Sequence, residues 1–294
     1  MTLVLKSGEE RAGGIIPGVS PQVYSADDFA HIAALAHREA GIVLDDSKRM
    51  LVYSRIAPLV RKSGCTSFAE LRALLHNDAR LAATVLAALT TNHTYFHRES
   101  HHFDYLADHL RDELIARLNS GDAIRIWSAG CSSGEEIWNI MMVLLGPDRR
   151  EGRTLANANL LALATDLAPH ALAKAEAGSY PAESLKDLDP ALVANWCEQD
   201  GQDLRIGPEA RKCVRFRQLN LLHEWPMSGQ FDIIFCRNVM IYFDQPTKDR
   251  LVRRFAERLK PGGYLFIGHS ERINSDAVAM LDTLGPTIYR RKER

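Results

Sequence analysis

Apolar residues recur at helical spacing through the first third of the chain, starting just after Ser25. Ser25 and Asp28 stand at the positions of a capping box, which marks the start of a helix. Further helical stretches follow at residues 46–62, 67–76 and 79–90. Because no strand pattern interrupts them, the sequence predicts an all-helical N-terminal domain at residues 23–92.

Two segments flank this predicted helical domain. Residues 1–22 contain several glycines and lack apolar periodicity, so we expect a flexible arm. The stretch ESHHFDYLADHLRDELIARLN keeps the helical period and ends at Ser120-Gly121. We therefore expect a linker helix at residues 93–120.

From Gly121 onwards, short apolar runs alternate with helical ones. The order is a strand in AIRIWSA, a helix in IWNIMMVLL, a strand in NLLALATD and a helix in APHALAKAEAG. Later come the strand-like FDIIFCRNVMIYF, the helix TKDRLVRRFAERL, a turn at residues 260–263, the strand YLFIGHS and a final strand near TIYRR. This pattern predicts an α/β domain at residues 121–294 with a doubly wound, mostly parallel, Rossmann-like sheet.

The alternation of strands and helices breaks down between Tyr180 and Asn220. An Asp200-Gly201 turn there is flanked by strand-like residues and followed by the strand candidate CVRFRQL. We therefore expect a small antiparallel insertion, a β-subdomain at about residues 181–217.

Composition and charge narrow the class of protein. Lys and Arg total 36 against 37 Asp and Glu, so the net charge of −1 gives no overall attraction to nucleic acid or to a membrane. The five cysteines form no C-x-x-C pair, which disfavours both a disulfide framework and a zinc site. The sequence has no secretory signal and no apolar run of about 18 residues. We expect a cytoplasmic protein without membrane insertion.

The first predicted strand leads into a loop of small residues, SAGCSSGEE, before a helix starts. Such a loop lets the backbone approach a nucleotide-like ligand at the carboxyl edge of a doubly wound sheet. Glu135 and Glu136 stand at the helix start, where a pyrophosphate would need the positive end of the helix dipole. These acids disfavour a dinucleotide and favour a cationic ligand with an amino acid group and a sulfonium. An ordinary strand-to-helix turn remains the alternative.

Polar residues also end two later strands. Asp166 ends the second strand, where a carboxylate either accepts two hydrogen bonds from a ribose diol or caps the following helix. Arg237 and Asn238 follow an apolar strand and place multi-donor side chains at the same edge. They either contact a ligand or satisfy carbonyl groups at the strand end.

The segment TTNHTYFHRE joins the helical domain to the predicted linker. Its polar runs flank an aromatic pair, which suits packing against the mouth of the sheet. Three of its side chains could then contact a ligand: Asn92, Thr94 and Arg98. The chain also has histidines at a spacing of four residues, at His93, His97 and His101. No acidic ligand follows this spacing and H-E-x-x-H is absent, so we predict no metal site.

Hydrolase and triphosphatase chemistry are disfavoured. Ser270 directly follows His269, and neighbouring strand residues point to opposite faces, so the two cannot pair as nucleophile and base. The sequence also lacks a G-x-x-x-x-G-K-[ST] loop.

Together, the blocks TTNHTYFHRE, WSAGCSSGEE, ATD, LNLL, FCRNVMIYF and KPGGYLFIGHSE resemble the CheR family of receptor glutamate methyltransferases. The resemblance spans about residues 25–292. It implies a site for S-adenosyl-L-methionine, with S-adenosyl-L-homocysteine as the product. The cofactor-binding residues that it implies are Asn92, Thr94, Arg98, Glu135, Asp166, Asn220, Leu221, Arg237 and Asn238.

The resemblance also implies partners. The substrates would be glutamates on the cytoplasmic helices of chemoreceptors, which the N-terminal helical domain helps to recognise. A receptor C-terminal peptide at the β-subdomain and a monomeric state are further expectations. The sequence departs from the family pattern at His97, where an aromatic residue is common, and at Ile137-Trp138-Asn139, which replaces Pro-Tyr-Ser or Ala-Tyr-Ser.

Methyl transfer is an in-line displacement at a sulfonium carbon. A glutamate acceptor, with an unperturbed pKa of about 4.3, is already an anion at neutral pH, so no general base is needed. Catalysis should come from positioning the acceptor and excluding water. We expect Arg98 to orient the acceptor carboxylate and Tyr242 to line the methyl path, with an ordinary core position as the alternative for Tyr242.

Two other classes of function stay open. A nicotinamide-dependent oxidoreductase is disfavoured by Glu135, Glu136 and the missing G-x-G-x-x-G fingerprint. A binding module that modifies nothing would be favoured by loss of a pocket residue, and none is lost.

The helical stretch at residues 46–62 is locally basic. Its cations are Lys48, Arg49, Arg55, Arg61 and Lys62. This face is either an ordinary solvated surface or a surface that steers an acidic helical substrate. Pro58 is expected to kink this helix or end it early.

Overall fold

The computed structural model describes residues 19–273 and 279–293, and the chain divides between Leu89 and Thr90 into two compact units. The first unit is all-helical, as predicted. Its helices are α1 (Ala26–Ala40), α2 (Arg49–Lys62), α3 (Phe68–Leu75) and α4 (Ala79–Leu89), with a 3₁₀ helix at Asp46–Lys48. The arm expected at residues 1–22 lies, as far as residue 18, outside the described residues.

A capping box and the burial of apolar side chains stabilise the first unit. The predicted capping box starts α1, because Ser25 N–H donates to Asp28 Oδ2 at 2.9 Å and Ser25 Oγ accepts from the Asp28 N–H. The apolar face of α1 is buried, and the rings of Tyr24 and Phe68 pack 4.4 Å apart. Pro58 lies inside α2, and the helix continues past it to Lys62, so the expected early end is wrong.

The second unit begins with a helical run that lies against its sheet. This run consists of α5 (His101–Tyr105), a π-helical turn at Leu106–Leu110 and α6 (Arg111–Asn119). Phe103, Leu106 and Leu110 are each 2% exposed or less and belong to the core of this unit. The helix expected to act as a linker therefore contributes to a hydrophobic core.

Strands and helices then alternate in the second unit. The strands are β1 (Ile124–Ala129), β2 (Leu160–Asp166), β3 (Ser179–Pro181), β4 (Cys197–Asp200), β5 (Asp203–Ile206), β6 (Val214–Gln218), β7 (Phe231–Cys236), β8 (Leu259–Ile267), β9 (Leu281–Gly285) and β10 (Ile288–Arg291). The helices are α7 (Glu135–Leu145), α8 (Arg149–Asn157), α9 (Pro169–Ala177), α10 (Pro190–Trp196), α11 (Pro208–Lys212) and α12 (Gln245–Arg258).

The main sheet has seven strands in the order β6-β2-β1-β7-β8-β10-β9. The strands from β6 to β8 pair in parallel, whereas β10 is antiparallel to both of its neighbours. The chain winds outwards in one direction from β1 and then in the other, so a topological switch point lies between β1 and β7. Ligands of doubly wound sheets bind at the carboxyl edge of such a point. The predicted fold class is confirmed.

The turn predicted at residues 260–263 is wrong. These residues lie within β8, where the pairing with β7 changes register. Phe231 pairs with Leu259 and Ile233 pairs with Tyr264, so a step of two residues on β7 is matched by five on β8. Gly262, at a φ of +75°, takes part in this bulge. The Pro-Gly-Gly sequence marks an irregularity in a strand rather than its start.

The antiparallel insertion is confirmed as a three-stranded sheet in the order β3-β5-β4. The strand β6, which the sequence prediction had included in the insertion, instead pairs in parallel with β2. Its sequence, VRFRQ, alternates apolar and polar residues, which is typical of a strand that is half exposed. That pattern fits an edge strand of the main sheet as well as a strand of an insertion.

Two further expectations concern membrane spans and cysteines. In the part of the chain that the structure describes, no helix is long and apolar enough to cross a membrane. All five cysteines are free thiols.

Candidate active site

The loops that follow β1, β2, β7 and β8 share the carboxyl edge of the parallel strands. The loop after β1 is tightly packed against its neighbours. Its glycines Gly130 and Gly134 have φ angles of +90° and +96°. A Cβ atom on Gly130 would lie 2.4 Å from Val239 Cγ2, and one on Gly134 would lie 2.8 Å from Ala175 Cα. Only glycine allows this close approach of the backbone to its neighbours.

Two adjacent acids begin α7 and point to different partners. Glu135 is 6% exposed and accepts a hydrogen bond from Ser133 Oγ at 2.7 Å. Glu136 accepts from Ser128 Oγ at 2.7 Å and forms an ion pair with Arg237. Burial raises the pKa of Glu136, against the lowering effect of Arg237. The start of α7 is therefore acidic, as the sequence predicts, and disfavours a phosphate there.

Asp166 ends β2 and is 8% exposed. Its Oδ2 accepts from the Ser132 N–H and its Oδ1 accepts from the Ala168 N–H, each at 2.9 Å. Burial raises the pKa of Asp166, and the backbone hydrogen bonds oppose that rise. The carboxylate thus supports the turn before α9, while each oxygen keeps a lone pair that could accept from a ribose hydroxyl. The helix-cap alternative for Asp166 is wrong, because the N-cap of α9 is Ala168 and α9 has no side-chain cap hydrogen bond.

Arg237 follows β7, and its side chain is 2% exposed. The guanidinium lies 3.2 Å from Glu136 Oε2 and 3.5 Å from Glu99 Oε2. It also donates to the carbonyl of Arg98 and lies over the ring of Phe103, 5.3 Å from the centroid. A cation held between two acids on different segments fixes the loop after β7 against the segment that contains Arg98.

Glu99 is a site residue that the sequence analysis missed. Its Oε1 accepts from Asn238 Nδ2 and from the His269 N–H, both at 3.1 Å, in addition to the contact with Arg237. Burial raises the pKa of this carboxyl, but the hydrogen bonds and the charge of Arg237 outweigh it and hold the pKa below its usual range. Glu99 has a φ of +55°, a strained conformation for a residue other than glycine. One ionised side chain thus joins three loops.

Glu271 has a similar role and was also missed. Its carboxylate is 4% exposed and accepts from the N–H groups of Asn238, Met240 and Gly268. Asn238 itself has a φ of +58°. In the sequence, Glu271 is visible only as an acid that follows the strand YLFIGHS, because its burial and its N–H partners depend on the fold.

The segment after α4 reaches the loop that follows β1. The backbone carbonyl of Asn92 accepts from Ser132 Oγ at 2.9 Å, which places the backbone of Asn92 beside that loop, whereas its side-chain Oδ1 accepts from Thr90 Oγ1 at 2.7 Å. Arg98 donates to the carbonyl of His93 at 2.9 Å, with its guanidinium 5.8 Å from the ring centroid of Tyr95. Thr94 is half-buried. Backbone contacts thus bring Asn92 to the loop after β1 and Arg98 to Arg237.

Two predicted residues follow β6, and a third follows β7. The Leu219 N–H donates to the Asp166 carbonyl, which places Asn220 and Leu221 close to the end of β2. Asn220 Oδ1 accepts from the Leu222 N–H, and Leu221 is 8% exposed. Tyr242 lies in the 3₁₀ helix Met240–Tyr242 and is half-buried, so it is not a fully buried core residue.

His93, His97 and His101 are followed directly by a fourth histidine, His102, which is buried. No group of three or more metal-ligating side chains occurs within residues 19–273 and 279–293. His102 is fully buried, and its Nε2 is 2.8 Å from Thr287 Oγ1. Burial, with the charge of Arg237, lowers the pKa of His102 to about 2, although Glu99 Oε2 is 3.7 Å from its Nδ1. Burial decides the charge of this ring, which is neutral in the folded protein.

The departure from the family pattern in α7 changes the local packing. Trp138 Nε1 donates to the Ala175 carbonyl at 3.0 Å, which ties α7 to α9. Asn139 is fully buried, and neither amide atom has a hydrogen-bond partner among the described residues.

The chemistry of this edge fits a cationic nucleoside. Glu99, Glu136 and Arg237 together carry one excess negative charge, and Glu135 and Asp166 add two more carboxyl groups. Carboxylates can accept from ribose hydroxyls and from an ammonium group, and they favour a nearby sulfonium. The residues present therefore suit S-adenosyl-L-methionine better than a dinucleotide.

Comparison with known proteins gives the same result. Residues 92–289 match the family model described as the CheR methyltransferase SAM binding domain, and residues 27–90 match the CheR methyltransferase all-alpha domain. A probable chemotaxis protein methyltransferase of Rhizobium etli is 40% identical over 264 residues, which cover 87% of this chain and 96% of that protein. The chemotaxis protein methyltransferase of Escherichia coli is 39% identical over 270 residues, 89% of each chain. That of Borreliella burgdorferi is 36% identical over 271 residues, 90% of this chain and 94% of that protein.

The fold and these matches define an S-adenosyl-L-methionine-dependent methyltransferase. The chain belongs to the CheR methyltransferase family.

Proposed function

We propose that this enzyme transfers the methyl group of S-adenosyl-L-methionine to glutamate side chains of chemoreceptors during chemotactic adaptation. The products are glutamate methyl esters and S-adenosyl-L-homocysteine. The observation that carries this proposal is the similarity, over nearly the whole chain, to proteins named chemotaxis protein methyltransferase.

The proposed cofactor site lies at the carboxyl edges of β1, β2 and β7. Asp166 would accept from the ribose hydroxyls, and Glu135 would accept from the amino group. The backbone and side chains of the remaining predicted residues would surround the ligand: Asn92, Thr94, Arg98, Asn220, Leu221, Arg237 and Asn238. When bound, the cofactor supplies an electrophilic methyl group.

The protein's own part in the reaction is to position the acceptor. A glutamate side chain is ionised at neutral pH and needs no base to become a nucleophile. Arg98 uses one guanidinium N–H on the His93 carbonyl, which leaves other donors for an acceptor carboxylate. Tyr242 would line the path of the methyl group. Holding the two reactants in line and excluding water would account for the rate.

Recognition of the receptor would use the basic face of α2. Lys48, which directly precedes α2, and Arg61 and Lys62 at the end of α2 are exposed and could steer an acidic helix. Arg55 does not belong with them, because its Nη1 donates to the Leu89 carbonyl at 2.6 Å. Arg49 forms an ion pair with Asp46, with 2.7 Å between Arg49 Nη2 and Asp46 Oδ1.

These contacts decide how the basic face should be tested. Lys48→Glu/Arg61→Glu should slow association with receptor fragments and flatten its salt dependence, with cofactor affinity unchanged. The matched control is Arg250→Glu/Arg253→Glu on α12, where both side chains are exposed. Equal association rates for the two variants would place recognition elsewhere.

Further partners and the cellular setting are part of the proposal. The β-subdomain offers β4 as an outer strand, to which a receptor C-terminal peptide could add as a further strand. Five free thiols fit a reducing compartment, the cytoplasm. We propose a monomer, which light scattering would check.

Mass spectrometry of the acceptor tests the proposed substrate. The purified full-length chain is incubated with S-adenosyl-L-methionine and a receptor cytoplasmic fragment, which is then digested. The proposal requires the added mass of one methyl group on glutamate-containing peptides, lost when those glutamates are replaced by alanine. Methyl groups on lysine, arginine or the cofactor alone would contradict it.

A further inference from the structure

A row of exposed cations runs along one edge of the second unit. The row consists of Arg149, Arg150 and Arg153 on α8, Lys212 at the end of α11, and Arg215 and Arg217 on β6. We call it the basic edge. Its parts are joined by contacts, because Lys212 Nζ donates to Asn157 Oδ1 at 2.5 Å and Arg215 Nη1 donates to the Lys212 carbonyl at 2.8 Å. The basic edge is continuous in a chain whose net charge is only −1.

Acidic side chains neutralise the basic edge only in part, at α8, where Asp148 and Glu209 interact with Arg150, Arg153 and Arg149. Among the described residues, only Arg153 of these six cations forms an ion pair, with Glu209 at 2.9 Å. Asp148 caps the start of α8 by accepting from the N–H groups of Arg150 and Glu151. Glu151 pairs with Arg111 on α6. The surface groove on α8 is lined by three arginines, Arg149, Arg150 and Arg153, together with Thr154 and Asn157.

The backbone groups of the edge strand β6 alternate between facing β2 and facing outwards. The Cys213 carbonyl accepts from the Ala162 N–H and the Leu219 N–H donates to Asp166, so the odd-numbered residues between them face β2. Because backbone groups alternate along a strand, the N–H and carbonyl groups of Val214 and Phe216 face away from β2. Arg215 Nη1 donates to the Val214 carbonyl at 2.9 Å, and Arg217 Nη1 donates to the Phe216 carbonyl at 2.7 Å.

These two arginines change what the edge presents to a partner. They donate hydrogen bonds to the outward carbonyls of Val214 and Phe216, so along these two residues the outward side of β6 presents mainly N–H and guanidinium donors. An ordinary strand, which needs both donors and acceptors, would pair poorly here. A partner rich in acceptors, such as carboxylates, would pair well.

We infer that the basic edge is a docking surface for an acidic protein segment in an extended conformation. Arg215 and Arg217 are two positions apart and lie on the same face of β6. An extended segment with acids at alternate positions therefore matches their spacing.

A membrane surface and a nucleic acid are less suited to this edge. The large exposed apolar side chains of the described residues, such as Tyr95 and Ile241, lie outside the basic edge, and membrane-surface binding normally uses such groups. Stacking of nucleic acid bases also needs exposed aromatic rings.

Peptide binding to the full-length protein tests this inference. The measurement is made without S-adenosyl-L-methionine, so its result is independent of methyl transfer. The probe is a fluorescein-labelled peptide of alternating glutamate and threonine. A second peptide has the same composition in Glu-Glu-Thr-Thr order. Anisotropy at low salt should show tighter binding of the alternating peptide. Arg215→Gln/Arg217→Gln should weaken that binding about tenfold, the loss of two carboxylate contacts.

Two further variants make the test specific. Arg149→Gln/Arg150→Gln removes exposed cations of α8 without touching the edge carbonyls, and it should also weaken binding. This variant keeps the test decisive even where the β6 variant does not fold. Arg250→Gln/Arg253→Gln on α12 makes the same charge change elsewhere and should have no effect. Equal losses in all variants, or equal binding of the two peptides, would overturn the inference. Tighter binding to phosphatidylglycerol vesicles or to DNA than to the alternating peptide would also overturn it.

Discussion

Arg237 Nη1 lies 3.2 Å from Glu136 Oε2, and this buried ion pair joins the loop after β7 to the first turn of α7. On its other side the guanidinium faces Glu99 at 3.5 Å. Two acids around one base hold three segments together. The same network therefore contributes to stability and to the electrostatics of the proposed cofactor site.

Replacing Arg237 should strongly destabilise the fold. Arg237→Gln leaves two largely buried carboxylates without their cation, which should lower the free energy of unfolding by about 3 kcal/mol. Urea denaturation measures the change. The control is Arg205→Gln, which breaks a pair with Asp200 whose side chains are 53% and 39% exposed, and it should have little effect. Similar losses in the two variants would mean that the Arg237 network is not a buried stabilising element.

Asp166 should contribute directly to cofactor affinity. Asp166→Ala should weaken binding of S-adenosyl-L-methionine by about 1.5 to 3 kcal/mol, the range for hydrogen bonds to a charged group. Calorimetry measures this, and NAD should not bind detectably to the wild-type protein. Asp148→Ala also removes an aspartate that accepts backbone N–H groups, but at α8. The Asp148→Ala variant should bind S-adenosyl-L-methionine with unchanged affinity. If Asp166→Ala also bound it with unchanged affinity, Asp166 would have only a structural role.

Arg98 should matter more for turnover than for cofactor binding. If its guanidinium orients the acceptor carboxylate, Arg98→Ala lowers kcat by a larger factor than it raises the dissociation constant of S-adenosyl-L-methionine. Arg98→Lys keeps the charge but not the planar donor geometry, so it should restore activity only in part. Equal factors for kcat and affinity in Arg98→Ala would assign Arg98 to cofactor binding alone.

His102 should make the fold sensitive to mild acid. Burial lowers its pKa from 6.5 to about 2, so below the ordinary value only the unfolded chain takes up this proton. Stability is therefore lost as the pH falls, by about 1.4 kcal/mol between about pH 7.5 and about pH 5.5. His102→Gln should reduce that loss by the same amount in denaturation curves. The exposed His109→Gln variant should keep the wild-type slope, and identical slopes in all three proteins would contradict the assignment.

Much of the fold could be predicted because its signals are local. The sequence shows continuous apolar runs at β1, β2 and β7, and apolar residues at helical spacing in α1 to α4. The strand β6 was harder to place, because alternating residues indicate one exposed face without naming the neighbouring strand. The bulge in β8 was missed because Pro-Gly-Gly is equally typical of a turn.

The candidate site was predicted through its motifs, and its supporting acids were not. Glu99 and Glu271 have their roles only because distant loops bring N–H groups and Arg237 to them. No periodicity or spacing marks such residues in one sequence. The assignment of individual side chains to the cofactor stays a prediction that binding measurements must test.

Release of volatile methanol tests the central claim most directly. The full-length protein is incubated with methyl-labelled S-adenosyl-L-methionine and a receptor cytoplasmic fragment, and the washed product is treated with alkali. The account predicts that the label on the fragment is released as methanol, because a carboxyl methyl ester is labile to base, and that Asp166→Ala reduces the amount. Label that stays on the fragment through alkali, as an N-methyl group would, or no transfer to any fragment, would contradict carboxyl methylation.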